Sequence, residues 1–74
     1  MACRVGITTD PGTRRKEWEA AHPDLTDWRI LAERPTKTEA QRAGETEALR
    51  AGCVAEAGAY GPESARWFVY YFRY

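Results

Sequence analysis

Apolar and polar residues alternate over residues 2–8, with Cys3, Val5 and Ile7 on one side and Arg4, Gly6 and Thr8 on the other. Period two with β-branched residues predicts a strand, and a glycine inside it marks a close backbone approach or a bulge. Asp10-Pro11 is a helix start, with aspartate as the N-cap and proline at the first helical position. The helix is expected over residues 11–21, with Trp18 as its core anchor and Ala21 near the same face. His22-Pro23 ends it, because the residue before proline avoids the α region. Residues 25–31 read as a second strand with Trp28 and Ile30 on one face. Thr36 and Glu39 have capping-box spacing, so a second helix is expected over residues 37–51, stopped by Gly52. Its apolar stripe is small residues (Ala40, Ala43, Ala51), with Leu49 as its one large apolar side chain. Such a helix can lie close against a sheet. Residues 53–55 form a short strand, and the glycines and proline of residues 58–62 a loop. Residues 67–72, Trp-Phe-Val-Tyr-Tyr-Phe, lack strict alternation and predict a central strand buried on both faces.

The order β-α-β-α-β-β points to an α/β (α+β) fold, a two-layer sandwich of one mixed sheet of about four strands with two helices on one face. The two βα crossovers argue for parallel pairing of neighbouring strands, and the last two strands for a hairpin. All 74 residues fit a single domain.

Composition narrows the function classes. Eleven basic residues balance eleven acidic ones, so the chain lacks the basic excess of a dedicated nucleic-acid binder. The charge is uneven: Arg14-Arg15-Lys16 is basic, and Asp24, Asp27 and Glu33 make the next stretch acidic. No secretory leader and no apolar run of bilayer length is present, which predicts an intracellular, cytoplasmic protein without a membrane partner. Two cysteines and one histidine do not supply the four ligands of a structural zinc site. Reduced, half-buried thiols are the expectation in that compartment. A Cys3–Cys53 disulfide would require their strands to be neighbours.

The segment Arg4-Val5-Gly6-Ile7-Thr8-Thr9, an Asp-Pro turn and a helix opening with Arg14-Arg15 together resemble the second half of the GIY-YIG nuclease motif. In that family one tyrosine stands two residues before the glycine, another lies on the partner strand, a helix arginine follows, and a glutamate on a later helix binds a divalent metal. The resemblance covers residues 3–50 and implies action on DNA phosphodiesters. Arg14 stands eight residues after Gly6, with Arg15 adjacent. Arg4 occupies the place of the first tyrosine. No Gly-Ile-Tyr strand precedes Cys3, and the metal glutamate falls on Glu45, one residue late, with Gly44 at the matched position. The aromatic tail offers a replacement strand. Laid antiparallel beside residues 2–8, it would bring Tyr70 or Tyr71 to the site as a circular permutation of the family core, since chain termini often lie close together. The resemblance then implies Arg14 or Arg15 as phosphate clamp, Tyr70 or Tyr71 as base and Glu45 as Mg²⁺ ligand, and beside these Arg4, Lys16 and Trp67 are candidate nucleic-acid contacts. A tyrosine base needs its pKa pulled down from about 10.

Plainer readings stand beside these roles. Arg14, Arg15 and Lys16 suit a solvated helix face, Glu39 a capping box, Glu45 a surface charge pair, and Tyr70 and Tyr71 cross-strand packing. His22 suits a helix C-terminus. The aromatic tail also fits two other functions. One is a non-catalytic homodimer burying a wide sheet face. The other is a single-stranded nucleic-acid platform presenting Trp67, Tyr71 or Tyr74.

Overall fold

The computed structural model describes residues 2–56 and 59–74. Six elements follow in order: β1 (Cys3–Thr8), α1 (Pro11–Ala21), β2 (Thr26–Thr36), α2 (Lys37–Ala51), β3 (Val54–Ala55) and β4 (Ser64–Arg73). They build one mixed four-stranded sheet, in the order β2-β4-β1-β3, with two helices, an α+β fold.

The aromatic tail is central, as its unbroken apolar run predicts. β4 pairs antiparallel with β1, setting Gly6 opposite Tyr70 and Ile7 opposite Val69, and antiparallel with β2, setting Ile30 opposite Tyr70. Three expected pairings give way to this insertion. β1 and β2 do not pair with each other, because β4 lies between them; β2 and β3 stand at opposite edges of the sheet; and β3 and β4 form no hairpin, because β1 lies between them. Among the described residues the one parallel pairing is β1 with β3, Arg4 opposite Val54 and Val5 opposite Ala55. A strand that is apolar on both faces gains most from a central place, and this outweighs the convenience of joining sequence neighbours.

β2 is longer than its apolar alternation indicates and runs on through Pro35 to Thr36. Pro35 is tolerated because β2 is an edge strand. Its register shifts between Thr26 and Arg29, between Ile30 and Ala32, and between Arg34 and Thr36. The first shift contains Asp27 at φ 56°, the left-handed region that aspartate enters more readily than most residues.

Strand alternation sorts the side chains between two layers. Val5, Ile7, Trp67 and Val69 join Ala40 and Ala48 of α2 in the main core. Gly44, also buried, lies in this contact, and a Cβ there would stand 3.6 Å from Ile7 Cγ2 and 3.8 Å from Val5 Cγ1, ordinary packing distances that an alanine would meet without strain. The helix therefore packs through small residues, as expected, while Leu49 stays 86% exposed. Gly52 closes α2 in the left-handed conformation at φ 71°. At the other end, the Glu39 amide donates to Thr36 Oγ1, and that hydroxyl donates to Glu39 Oε2.

The opposite face carries Gly6, Tyr70 and Phe72, and it is here that α1 docks. The two helices thus do not share a face. α1 has no fully buried residue and attaches through Trp18, whose ring lies 5.0 Å from Phe72. Ala21, expected beside it, is exposed. Trp28 stacks on Tyr70 at 5.0 Å and 10°, and His22 sits 4.3 Å from Tyr74. One all-aromatic layer thus substitutes for the aliphatic residues that α1 lacks. The stacked geometry adds about 0.5–1.5 kcal/mol per pair beyond burial.

Cys3 and Cys53 are joined by a disulfide, with Cα atoms 4.9 Å apart. Both are half-buried, as expected, but they are not the reduced thiols that the compartment argument favoured. The parallel β1–β3 pairing makes their chain segments neighbours and so meets the condition for the bond. Of the loop expected over residues 58–62, Gly58 lies outside the described residues, and Ala59–Pro62 is irregular.

Candidate functional site

The chemistry-bearing residues gather where β1 meets α1. Gly6 opens the place. Its missing side chain makes room for the Tyr70 ring, whose Cζ would stand 2.5 Å from a Cβ on Gly6, with the phenol oxygen closer still. The close approach predicted at this glycine is therefore made by a tyrosine of the central strand. Trp18 Nε1 donates a 2.9 Å hydrogen bond to the Tyr70 hydroxyl oxygen, tying α1 to β4 at this point.

Tyr70 is 1% exposed. Burial pushes its phenol above the usual tyrosine pKa, against the opposing effects of the Trp18 bond and the Arg14 charge. A phenol shifted upward is protonated throughout the neutral range. It can donate or accept a hydrogen bond there, but it is not set up as a general base.

Arg4 lies on the same face, its guanidinium between the rings of Trp18 (5.2 Å) and Tyr74 (5.5 Å). Arg4 Nη1 donates to Glu56 Oε2 at 2.5 Å. Burial works against its charge, but the Glu56 bond and interactions with Tyr74 outweigh this and leave its pKa above the usual arginine value. Arg4 Nε is buried without a hydrogen-bond partner among the described residues. Glu56 is held in turn by its own amide, which donates to Val5 O at 2.8 Å. The cluster is thus Arg4, Glu56, Tyr70 and Trp18 around Gly6, with Arg14 near enough for its charge to act on the phenol.

The remaining sequence-predicted residues are placed elsewhere. Arg15 and Lys16 are exposed on α1, Arg15 forms an i,i+4 pair with Glu19, and Arg14 pairs with Glu17. Tyr71 points to the α2 side, half-buried, with Arg29 5.3 Å from its ring centre. Adjacent strand residues face opposite ways, so Tyr70 and Tyr71 cannot serve one site together. Glu45 is exposed on α2, across the sheet from Tyr70, where with Lys37 and Gln41 it lines a cleft of about 180 Å³ that reaches Gly6 and Glu56. Trp67 is 0% exposed and donates from Nε1 to Pro62 O at 2.9 Å. It leaves no ring face for a base, so the stacking platform loses its first aromatic; Tyr74, half-buried, has His22 and Arg4 against its ring.

The donor set does not fit the Mg²⁺ site that the resemblance implies. Two carboxylates, Glu45 and Glu56, border one cleft, and Glu56 is engaged by Arg4. Among the described residues no three His, Cys, Asp or Glu side chains come together.

Glu56 escaped the sequence reading. It belongs to no motif, and only the parallel docking of β3 on β1 carries it to Arg4, 52 positions away. Its one sequence signal is proximity to Cys53, and that signal has meaning only once the disulfide is known.

Comparison with protein-family models, curated proteins and solved structures finds no match to this chain. Among the described residues no helix is long and apolar enough to cross a membrane. The class that the fold defines is a small α+β domain with a charged, aromatic-lined cluster on one sheet face.

Proposed function

We propose that the chain is a GIY-YIG-like domain, circularly permuted, that acts on DNA by gripping backbone phosphates over Gly6 rather than by cutting them. The observation that carries this reading is the antiparallel seating of β4 on β1, with Tyr70 over Gly6. That is the relation the permuted layout demands of the two chain ends. Arg14 presents a planar fork suited to phosphate oxygens, and the Tyr70 hydroxyl is a neutral hydrogen-bond partner beside it. The raised phenol pKa and the position of Glu45 across the sheet weigh against hydrolysis.

Fluorescence anisotropy with a short labelled DNA duplex at low and moderate salt tests the grip. Arg14→Ala is expected to weaken binding about tenfold, the worth of one charge-assisted hydrogen bond, and to lower the salt slope by about one. Wild-type protein that shows no salt-sensitive binding would sink the reading. Mg²⁺-dependent plasmid nicking that disappears in Arg14→Ala would restore the nuclease in its place.

A second reading, a homodimeric interaction module, is favoured by Ile30 and Leu31, 44% and 38% exposed on the outer strand β2. An unpaired strand edge can add a strand from another copy. Light scattering across a concentration series decides it: a dimer mass that Ile30→Lys abolishes is expected, and a monomer mass at every concentration rejects it.

A further inference from the structure

We propose that the Cys3–Cys53 disulfide is a redox-sensitive latch that keeps Glu56 on Arg4, so that reduction frees Arg4 as a further phosphate contact. The inference rests on the phosphate-binding reading for its consequence, but not for the latch itself.

β3 is attached to the sheet by very little. It is two residues long, paired only where Arg4 meets Val54 and Val5 meets Ala55. Beyond that ladder stand the Glu56 amide bond to Val5 O, the Arg4–Glu56 ion pair and the disulfide. Val54 is 51% exposed, so side-chain burial adds little to hold the strand. The covalent bond sits immediately before β3 and the ion pair immediately after it. Cys3 is also the residue next to Arg4, so the bond fixes the distance between the segments that carry the two charges. Once it opens, only the two-residue ladder, the Glu56 amide bond and the ion pair hold the segment on the sheet edge, and such edges fray first.

The chemistry closes without further components. A dithiol reductant attacks one sulfur, the Cys3–Cys53 bond breaks, and both cysteines leave as thiols while the reductant's two sulfurs join. Two electrons and two protons pass from reductant to protein. Disulfides of this kind persist in an oxidising compartment and are reduced where glutathione and thioredoxin dominate.

What reduction exposes is already shaped for an anion. The Arg4 guanidinium keeps its aromatic supports, Trp18 and Tyr74, and its Nε has no hydrogen-bond partner among the described residues. With Glu56 gone, its positive charge is no longer neutralised. The result is a second cation beside Arg14 on the α1 face.

Amide exchange by NMR on ¹⁵N-labelled protein, oxidised and then reduced with dithiothreitol, reads the latch directly. Reduction is expected to lower the Glu56 protection factor at least tenfold and to leave it at least tenfold below that of Val69, which reports unfolding of the whole domain. A Glu56 protection factor that does not change, or that equals that of Val69 after reduction, would mean that the segment opens only with the whole fold and would overturn the latch. Because a cysteine variant can fail to fold, the second arm leaves the disulfide intact. Oxidised Glu56→Gln is expected to bind the labelled duplex about threefold tighter than oxidised wild type and to lose the tightening that reduction brings. Wild type that binds DNA while Glu56→Gln binds no tighter would overturn the unmasking of Arg4. If no form binds DNA, the phosphate-binding reading fails, and with it the consequence drawn for Arg4, while the exchange arm still decides the latch.

Discussion

Breaking the Cys3–Cys53 bond, by Cys53→Ser or by a reductant, lowers the free energy of unfolding by about 4 kcal/mol. The bond joins residues 50 positions apart, and tethering a loop of that length removes about 4 kcal/mol of chain entropy from the unfolded state at 25 °C. For a domain this small the loss is a large share of the total, since whole domains are stable by only about 5–15 kcal/mol. The bond also has a local consequence, because it anchors the sheet edge where β3 contributes two residues. Urea titrations of oxidised and reduced protein, followed by far-ultraviolet circular dichroism, measure the difference. A change below about 1 kcal/mol would show that the reduced chain retains the cross-link's constraint by other means, and that closure of this loop is not a main source of stability.

Trp67→Ala costs about 3–5 kcal/mol, the range for deleting a large buried aromatic. Trp67 is 0% exposed and belongs to the core shared by β1, β4 and α2. Its indole also secures the chain that leads into β4. Nε1 donates to Pro62 O, and a Cβ at Gly61 would stand 2.9 Å from Trp67 Cζ2. Gly61 itself has φ 150°, so the turn has been shaped against this ring. The Lys37 ammonium at 5.8 Å from the ring ties the start of α2 to the same place. Trp67→Phe keeps most of the apolar volume and loses the hydrogen bond, and about 1–2 kcal/mol is expected. Trp18 and Trp28 remain as fluorescent reporters of unfolding in both variants. An alanine variant within 1 kcal/mol of wild type would contradict the burial of this side chain and would return it to consideration as a stacking surface.

At the site the structure separates Tyr70 from Tyr71 and from the Glu45 carboxylate. Tyr70, Tyr71 and Glu45 are each legible as polar groups near the right elements, but alternation along β4 sends the tyrosines to opposite faces. α2 then places Glu45 on the side away from Tyr70. A resemblance carried by β1 and α1 alone contains no information about which face of the sheet a later helix will cover. Arg4, in contrast, shares a face with Gly6 because residues 2–8 alternate, and this was readable from the start, although which helix covers that face was not. Its partner Glu56 was not, because an acid at a chain position far from any motif acquires a role only through docking.

Local signals determined the elements themselves. Asp10 before Pro11, the Thr36–Glu39 capping spacing and the Gly52 stop set α1 and α2 within the chain, since caps depend on backbone groups a few residues apart. The doubly apolar run of residues 67–72 likewise announced a central strand, because both of its faces need cover. Tertiary structure alone decided which strands flank it, which helix covers which face, and that two cysteines meet. Those outcomes turn on how a few large aromatics and a stripe of small residues compete for one sheet. Such competition is settled by packing between distant segments, and no short window of sequence records it.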